Sequence, residues 1–210
     1  MRRTVALLAF SICSVGAYAW PTSLNLMPIA DIVRHREAFG MYSITGTNLD
    51  KTYVHGNSLT VGLFDRIEIG YDNDFLGTTT YNAKLLLIDK PKQAPNFQFS
   101  VGFTSASFDR DYREPYAVAS YSVGEGTLHA GYWRTGGVNR GMFGADFPCG
   151  IQGLSAMVEH ISGPNSSTWL GLSYEIPWVE GLSLSVSFGI PSEKSDGTTR
   201  AAYLIYYFKF

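Results

Sequence analysis

The last eleven residues, Arg200–Phe210 (RAAYLIYYFKF), constrain the fold most, because their character alternates with a period of two. Counting back from the C-terminus, Phe210, Phe208, Tyr206 and Leu204 are all large and apolar or aromatic. Such a period places these side chains on one face of an extended strand. A strand of ~9–11 residues is long enough to cross a bilayer at a tilt. The pattern therefore predicts a strand of a transmembrane barrel, with the closing strand of a soluble sandwich as the alternative.

The same alternation recurs along the chain between turn signals rich in Gly, Pro, Asn and Asp. It is plainest at 182–190, where Leu184, Val186 and Phe188 alternate with Ser185 and Ser187. We predict strands at 37–46, 57–64, 67–72, 81–88, 96–105, 116–123, 127–134, 141–147, 154–161, 169–176, 182–190 and 200–210. The predicted fold is all-β: a transmembrane antiparallel β-barrel of about twelve strands, with ten to fourteen compatible with the pattern.

The composition agrees with a barrel that presents its apolar faces to lipid. Charged residues make up 16% of the chain, below the ~25% typical of soluble domains. Aromatic residues reach 14%, as the aromatic girdles of membrane barrels require. After the first twenty residues no stretch approaches the ~18 continuous apolar residues of a transmembrane helix. The net charge of −2 gives no indication of a nucleic-acid partner.

The N-terminus has the features of a secretory signal peptide, predicted at 1–19. Arg2 and Arg3 precede an apolar core, and Ala17-Tyr18-Ala19 forms a small-residue cleavage site. We expect a periplasmic N-terminal lead at 20–36 and the outer-membrane barrel at 37–210. Cys149 is the only cysteine left after cleavage, so no intrachain disulfide is expected. The predicted location is the bacterial outer membrane, with its lipid as the surrounding partner.

The predicted connections alternate between two ends of the barrel. If Phe210 lies at the periplasmic end, the periplasmic turns are 65–66, 90–96, 124–126, 148–153 and 177–181. The external loops are then 47–56, 73–80, 106–115, 135–140, 162–168 and 191–199. The external set is longer on average, as outer-membrane barrels require. An even number of strands also places the N-terminus in the periplasm.

Polar residues on the opposite face of the strands are predicted to point into the lumen. Those that carry a charge or an imidazole are Glu68, Asp72, Lys84, His129, Asp146, Glu159 and Glu175. Their carboxylates indicate a narrow, cation-leaning conduit or a binding site for a small polar solute. A network of ion pairs that stiffens the barrel is the alternative. Bulky residues predicted to narrow the lumen are Phe64, Trp133, Met157, Trp169, Tyr203 and Tyr207.

No motif for catalysis, metal binding or phosphate binding appears in the chain. The one pairing that the predicted register brings to a common side is His129 with Glu159 or Ser155, on strands that are not adjacent. We therefore predict no enzyme activity, no catalytic residues, no metal and no cofactor.

Two resemblances extend this prediction. The ending formed by Leu204, Tyr206, Phe208 and Phe210 is similar to the C-terminal signal of bacterial outer-membrane barrels. That resemblance implies the barrel-assembly machinery as a partner.

The second resemblance is to the YjbH-like outer-membrane barrel proteins, which are associated with exopolysaccharide production. Their "L-x-x-M-P-x-A-D" entry is matched by Leu24, Met27, Pro28, Ala30 and Asp31. Their strand–turn–strand unit is matched by Gly144, Asp146, Gly153, Leu154, Ala156 and Glu159. The resemblance implies a short family member, and an envelope export partner. The leading functional hypothesis is a porin-like barrel, and the second is a non-conducting accessory barrel that binds a partner through its loops.

Overall fold

The structure, a computed structural model, describes residues 22–49, 53–75, 77–107, 113–164, 166–193 and 197–210. The predicted signal peptide lies outside the described residues. The strands are β1 (Glu37–Thr47), β2 (Tyr53–Leu63), β3 (Ile67–Asn73), β4 (Thr79–Asp89), β5 (Phe97–Ala106), β6 (Glu114–Val123), β7 (Gly126–Thr135), β8 (Val138–Pro148), β9 (Leu154–Ile161), β10 (Ser167–Glu175), β11 (Leu182–Pro191) and β12 (Thr199–Lys209). Within these ranges no helix is long and apolar enough to cross a membrane.

Each strand pairs with its neighbours in sequence, and β1 pairs with β12 to close the sheet into a barrel. All the pairs are antiparallel, and the closing pair runs from Glu37 opposite Lys209 to Thr47 opposite Thr199. The predicted all-β antiparallel barrel of twelve strands is thereby confirmed. Closure leaves no unpaired strand edge, which is a condition for placing a sheet in lipid.

The alternation in the sequence separates the two faces of the wall. On β11 the serines at 183, 185 and 187 are buried, whereas Leu184, Val186 and Phe188 are 46%, 41% and 50% exposed on the outside. On β12 Leu204, Tyr206 and Phe208 are likewise exposed. On these strands the large apolar side chains thus form the exterior; the serines of β11 face the interior, where the buried charges of the other strands also lie.

The strands extend further than the sequence pattern indicates. Strand β2 begins at Tyr53, where Gly46 of β1 still pairs with it, and β8 begins at Val138. Only Gly136 and Gly137, both with positive φ, separate β7 from β8 where a loop at 135–140 was predicted. Backbone pairing continues past the point where the side-chain alternation fades, so the alternation underestimates strand length.

Both ends of the sheet, the start of β1 and the end of β12, lie at the same rim of the barrel. We call this rim the terminal end; it carries the connections at 64–66, 90–96, 124–125, 149–153 and 176–181. That the terminal end faces the periplasm stays a prediction.

Residues 22–36, which the sequence places in a periplasmic lead, run inside the ring of strands; we call them the lumenal segment. Met27 and Ala30 are fully buried, and Ile32 and Val33 nearly so. These apolar side chains need cover from water, and the inner wall supplies it. The segment leaves the barrel at the terminal end, where His35 bridges to Gly62 of β2 immediately before β1 begins.

Candidate functional site

The lumenal segment is folded back on itself at its beginning. Leu24 N donates to Met27 O at 3.0 Å and Ile29 N donates to Thr22 O at 3.1 Å, and Ser23 pairs with Pro28. These contacts close a tight turn. The N–H groups of Asn25, Leu26 and Met27 donate their hydrogen bonds to a group outside this turn. Successive N–H groups that point to one side form a concave site for an anion.

The anion in that site is the Glu159 carboxylate of β9. Its oxygens accept hydrogen bonds from the N–H groups of Asn25, Leu26 and Met27 at 3.0, 2.8 and 3.0 Å. Glu159 is fully buried, so its charge depends on these three donors. Hydrogen bonds to a buried carboxylate are among the strong ones because the acceptor is ionised. Glu159 therefore holds the turn of the segment against β9.

A second carboxylate holds the two arms of the segment on the opposite side of the lumen. Glu68 of β3 accepts hydrogen bonds from Thr22 N at 2.8 Å, from the Thr22 hydroxyl, and from Val33 N at 3.0 Å. Lys84 of β4 lies 3.4 Å from the Glu68 carboxylate. Its ammonium donates to the carbonyls of Thr22, Ile29 and Asp31 at 3.2, 3.2 and 2.7 Å. This buried ion pair is thus completed by the backbone of the segment.

Two serines hold the middle of the segment. The Ser100 hydroxyl of β5 donates to Ala30 O at 2.6 Å, and Ala30 N donates to the Ser120 hydroxyl of β6 at 3.0 Å. Ser120 Oγ lies 2.7 Å from His129 Nδ1, and His129 Nε2 lies 2.7 Å from Asp146 Oδ1. The hydrogen-bonded series Asp146–His129–Ser120 thus ends at the backbone N–H of Ala30. Ser120 therefore serves as a structural hydrogen-bonding group.

Apolar packing supports the same arrangement. Met27 and Ala30 pack in one buried cluster with Tyr116, Val118, Trp133, Met142 and Ile161 of the wall. A Cβ added to Gly144 would lie 2.5 Å from Leu24 Cδ1, and one added to Gly62 would overlap the carbonyl oxygens of Val33 and Arg34. Glycines therefore stand where the wall and the segment approach most closely.

At the terminal end a polar network anchors the exit of the segment. Arg34 forms ion pairs with Asp89 of β4 at 2.9 Å and with Asp31 at 3.3 Å. The hydrogen bond to Asp89 raises the pKa of Arg34 above its ordinary value, against the effect of burial. Gln98 of β5 donates to both carboxylates, at 3.3 Å to Asp31 and at 3.1 Å to Asp89. The segment is thus held at its turn, its middle and its exit.

Space remains on one side of the segment. A cavity of about 40 Å³ lies between Thr22–Asn25 and the inner wall formed by β1, β11 and β12. Wall residues that contribute hydroxyl and aromatic groups to it are Ser185, Tyr203, Tyr207 and Phe39. About 10–15 Å³ is enough to hold one water molecule, so the cavity has room for a very small polar molecule.

The structure brings some of the predicted lumenal residues together and leaves others apart. Glu68, Lys84 and Glu159 converge on the segment, and His129 pairs with Asp146. Asp72 is buried away from the segment, where Asn82 Nδ2 donates to it at 3.2 Å. Glu175 is exposed at the end of β10, on the terminal rim.

Among the bulky lumenal candidates, Trp133, Trp169 and Tyr203 are buried in the interior and Met157 lines the cavity. The prediction for Phe64 is wrong. It lies in the turn between β2 and β3 with a φ of 55°, is 73% exposed and stacks on His35 at 5.8 Å. The strand ends one residue earlier than the pattern indicates, and the left-handed turn points the ring outward. Tyr207 lies near the rim, packed against Phe39.

The position of the lumenal segment inside the barrel was not predicted from the sequence. Its signal is the apolar set of Leu24, Met27, Ile32 and Val33, which a water-exposed lead would leave uncovered. Ser120 was also missed, although it lies directly opposite His129 in the β6–β7 hairpin. Glu114 of β6, predicted as part of a loop, accepts hydrogen bonds from Ser105, Thr135 and Gly136.

The two patches that resemble YjbH-like proteins contact one another in the folded chain. Glu159 of the second patch accepts a hydrogen bond from the N–H of Met27 in the first patch. Gly144 of the second patch lies against Leu24 and Met27. The patches therefore form one docking unit between the lumenal segment and strands β8 and β9. The family itself stays a prediction.

A closed antiparallel barrel with an apolar exterior and polar residues inside defines the class: this chain has the fold of an outer-membrane β-barrel. On its outer face the exposed ring of Phe208 stacks on Tyr206, with 6.0 Å between centroids, and is tilted against Phe210, with 6.4 Å between centroids. Their role as an assembly signal stays a prediction.

The comparisons agree with this class. No protein-family model matches the chain, and no curated protein matches it in sequence. Among solved structures, the chain is similar to KdgM porin in complex with disordered oligogalacturonate, with a TM-score of 0.59 and 14% identity over 81% of this chain and 99% of that one. It is similar to KdgM porin alone with a TM-score of 0.56, at the same identity and coverage. The similarity concerns the fold.

Proposed function

We propose that the protein spans a bacterial outer membrane as a narrow, porin-like channel for small polar solutes, with its lumen restricted by its own N-terminal segment. The observation that carries the proposal is the position of residues 22–36, which Glu68, Lys84 and Glu159 hold across the interior. A cavity of about 40 Å³ lies beside the segment. Passage through the barrel is thereby limited to small molecules unless the segment moves.

The charge of the inner wall supports a solute that is not a polyanion. The buried inward side chains include the carboxylates Glu68, Asp72, Glu114 and Glu159, and the buried ammonium of Lys84 is paired with Glu68. An anionic chain such as the oligogalacturonate bound by KdgM porin would meet like charges here. The fold is shared, and the proposed solute differs.

Replacing Glu159 by Gln tests the restriction. Gln keeps the shape of the side chain but has one acceptor oxygen and an NH₂ group that faces N–H donors, so at least one of three charge-assisted bonds is lost. Each such bond contributes about 1.5–3 kcal/mol, and about 1.4 kcal/mol is tenfold in population, so release of the segment should rise at least tenfold. We expect the mean conductance in planar bilayers to increase several-fold in E159Q.

The matched control is Glu180→Gln, which removes the same charge from an exposed turn at the terminal end. It should conduct like the native protein. Heat-dependent migration in gels verifies that both variants are folded. A folded E159Q barrel that conducts no more than the native protein would contradict the restriction by the lumenal segment.

A non-conducting accessory barrel is the second candidate, and the filled lumen is the observation that favours it. On this hypothesis the barrel serves cell-envelope or exopolysaccharide export, as the YjbH-like patches suggest, and binds its partner through its loops. Cross-linking in intact cells should then capture the same protein from the native chain and from E159Q. Loss of residues 109–113, which precede β6, should abolish that capture; unchanged capture would remove this candidate.

A further inference from the structure

The lumenal segment is held asymmetrically. The hydrogen bonds described above join it to inward side chains of β3, β4, β5, β6 and β9. On β8 and β10, Gly144 and Gly171 allow the segment to come so close that a Cβ would overlap Leu24 and Asn25. The segment is therefore docked on strands between β3 and β10, and β11, β12 and β1 face it across the cavity.

The part of the wall across the cavity has a distinct chemistry, and we call its three strands the hydroxyl sector. Ser183, Ser185 and Ser187 follow one another along the inside of β11, and the Ser185 hydroxyl donates to Ser173 of β10 at 2.7 Å. Tyr203 of β12 lies directly opposite Ser185. Hydroxyl groups thus recur along β11 at the spacing of alternate strand residues, about 6.6–6.8 Å.

No charged side chain is among the described residues that line the cavity. Its apolar lining includes the aromatic ring of Phe39, the thioethers of Met41 and Met157, and the aliphatic side chains of Leu24 and Ile205. An ion that entered would exchange its hydration shell for hydroxyl groups and apolar surface, which is unfavourable. A neutral solute with several hydroxyl groups could instead exchange hydrogen bonds with Ser and Tyr while its C–H groups contact the rings.

We infer that solutes cross the barrel along the hydroxyl sector, between the lumenal segment and β11–β12–β1, and that this path selects small uncharged polyols. The inference rests on the proposed channel function and names its path and its solute class. The cavity is small, about 40 Å³, so glycerol, one of the smallest polyols, is a suitable probe and sucrose a suitable excluded solute.

Swelling of proteoliposomes measures this passage directly. The native barrel should admit glycerol faster than sodium glycerate, which has a similar size and a negative charge, and should exclude sucrose. Equal or faster entry of glycerate would overturn the solute class. Entry of sucrose at the rate of glycerol would overturn the restricted path.

Substitution of Ser185 by Phe tests the position of the path. The ring would occupy the cavity, so glycerol entry should fall several-fold. Val186→Phe is the matched control, because it adds a ring at the next residue of the same strand, on the exposed outer face. It should admit glycerol like the native protein. Equal rates in both folded variants would overturn the inference.

If S185F does not fold, Ser185→Cys combined with Cys149→Ser provides a second route. Reaction of the folded barrel with a small methanethiosulfonate reagent should then lower glycerol entry, and modification without any change in entry would overturn the path. The E159Q variant separates the two proposals. Ion conductance in E159Q with unaffected glycerol entry in S185F contradicts only the path, whereas no passage in either assay contradicts the channel itself.

Discussion

At the residue scale, the interior of this barrel contains buried side chains whose hydrogen bonds are completed by the lumenal segment. Glu159 and Glu68 are fully buried carboxylates, and most of their hydrogen-bond donors are backbone N–H groups of residues 22–33. A buried charge without such partners costs several kcal/mol. The wall and the segment therefore stabilise each other, and each carboxylate is a fixed point of the segment's path.

Gly62 provides a residue-scale test of that contact. In Gly62→Ala the new methyl group would overlap the carbonyl oxygens of Val33 and Arg34, which belong to the backbone and cannot rotate away. Overpacking of this kind costs about 1–3 kcal/mol. We expect a lower free energy of unfolding in detergent, measured by urea titration.

Gly40→Ala is the control for this change, since the nearest atom to its new Cβ is Ser58 O at an ordinary 3.8 Å. Its stability should stay within about 0.5 kcal/mol of the native value. If the two variants lost stability equally, the close approach at Gly62 would not be a constraint.

At the element scale, β11 shows both faces of the wall at their clearest. Its outward residues Val186 and Ile190 differ in depth, because Val186 lies at mid-strand opposite Ala202 whereas Ile190 is next to the end of the strand. Its inward serines supply the hydroxyl sector. One strand therefore contributes to the apolar exterior of the barrel and to the lining of its interior.

An arginine scan of two outward positions tests the depth of β11 in the membrane. Arg at the bilayer midplane of a barrel costs about 2–4 kcal/mol and near the interface about 0–1 kcal/mol. Val186→Arg should therefore destabilise the folded barrel strongly and Ile190→Arg weakly, as measured by reversible unfolding in lipid vesicles. Equal, negligible costs at both positions would mean that this face does not meet hydrocarbon.

The strands also show which features of the fold the sequence pattern predicts and which it does not. The period-two alternation identifies all twelve strands, because outward residues on the barrel surface are largely apolar. It misplaces ends such as those of β2 and β8, where backbone pairing continues beyond the residues that alternate. Phe64 is misassigned for a related reason, since a left-handed turn residue leaves the alternation.

At the scale of the whole molecule, closure between the first and last strands turns a meander into a barrel. β1 and β12 pair along their full length, with Thr45 opposite Ala201. Both side chains belong to the inward set of their strands. The distance between Thr45 and Ala201 therefore depends both on the closure of the barrel and on the register of β1 against β12.

A disulfide across this seam tests closure. In a Cys149→Ser background, Thr45→Cys with Ala201→Cys should form a disulfide under mild oxidation, because directly opposed residues have Cα atoms ~4.5–5.5 Å apart. The cross-linked chain should migrate as a compact species in denaturing gels. The control is Thr45→Cys with Ala202→Cys, whose side chains point to opposite faces and should not cross-link. Efficient cross-linking in the control would contradict the register.

The sequence by itself determined the class of fold, because a membrane barrel requires an apolar outer face and this produces a period of two along its strands, even where inward residues such as Trp133 and Trp169 are also apolar. It also indicated Glu68, Lys84 and Glu159 as inward groups. Only the tertiary structure decided what those groups do, since residues 22–36 carry no alternation and their backbone donors approach Glu159 from 132–134 residues away in the chain. A segment that packs across a closed ring leaves no local pattern; its position depends on buried charges that are satisfied only once the ring has formed.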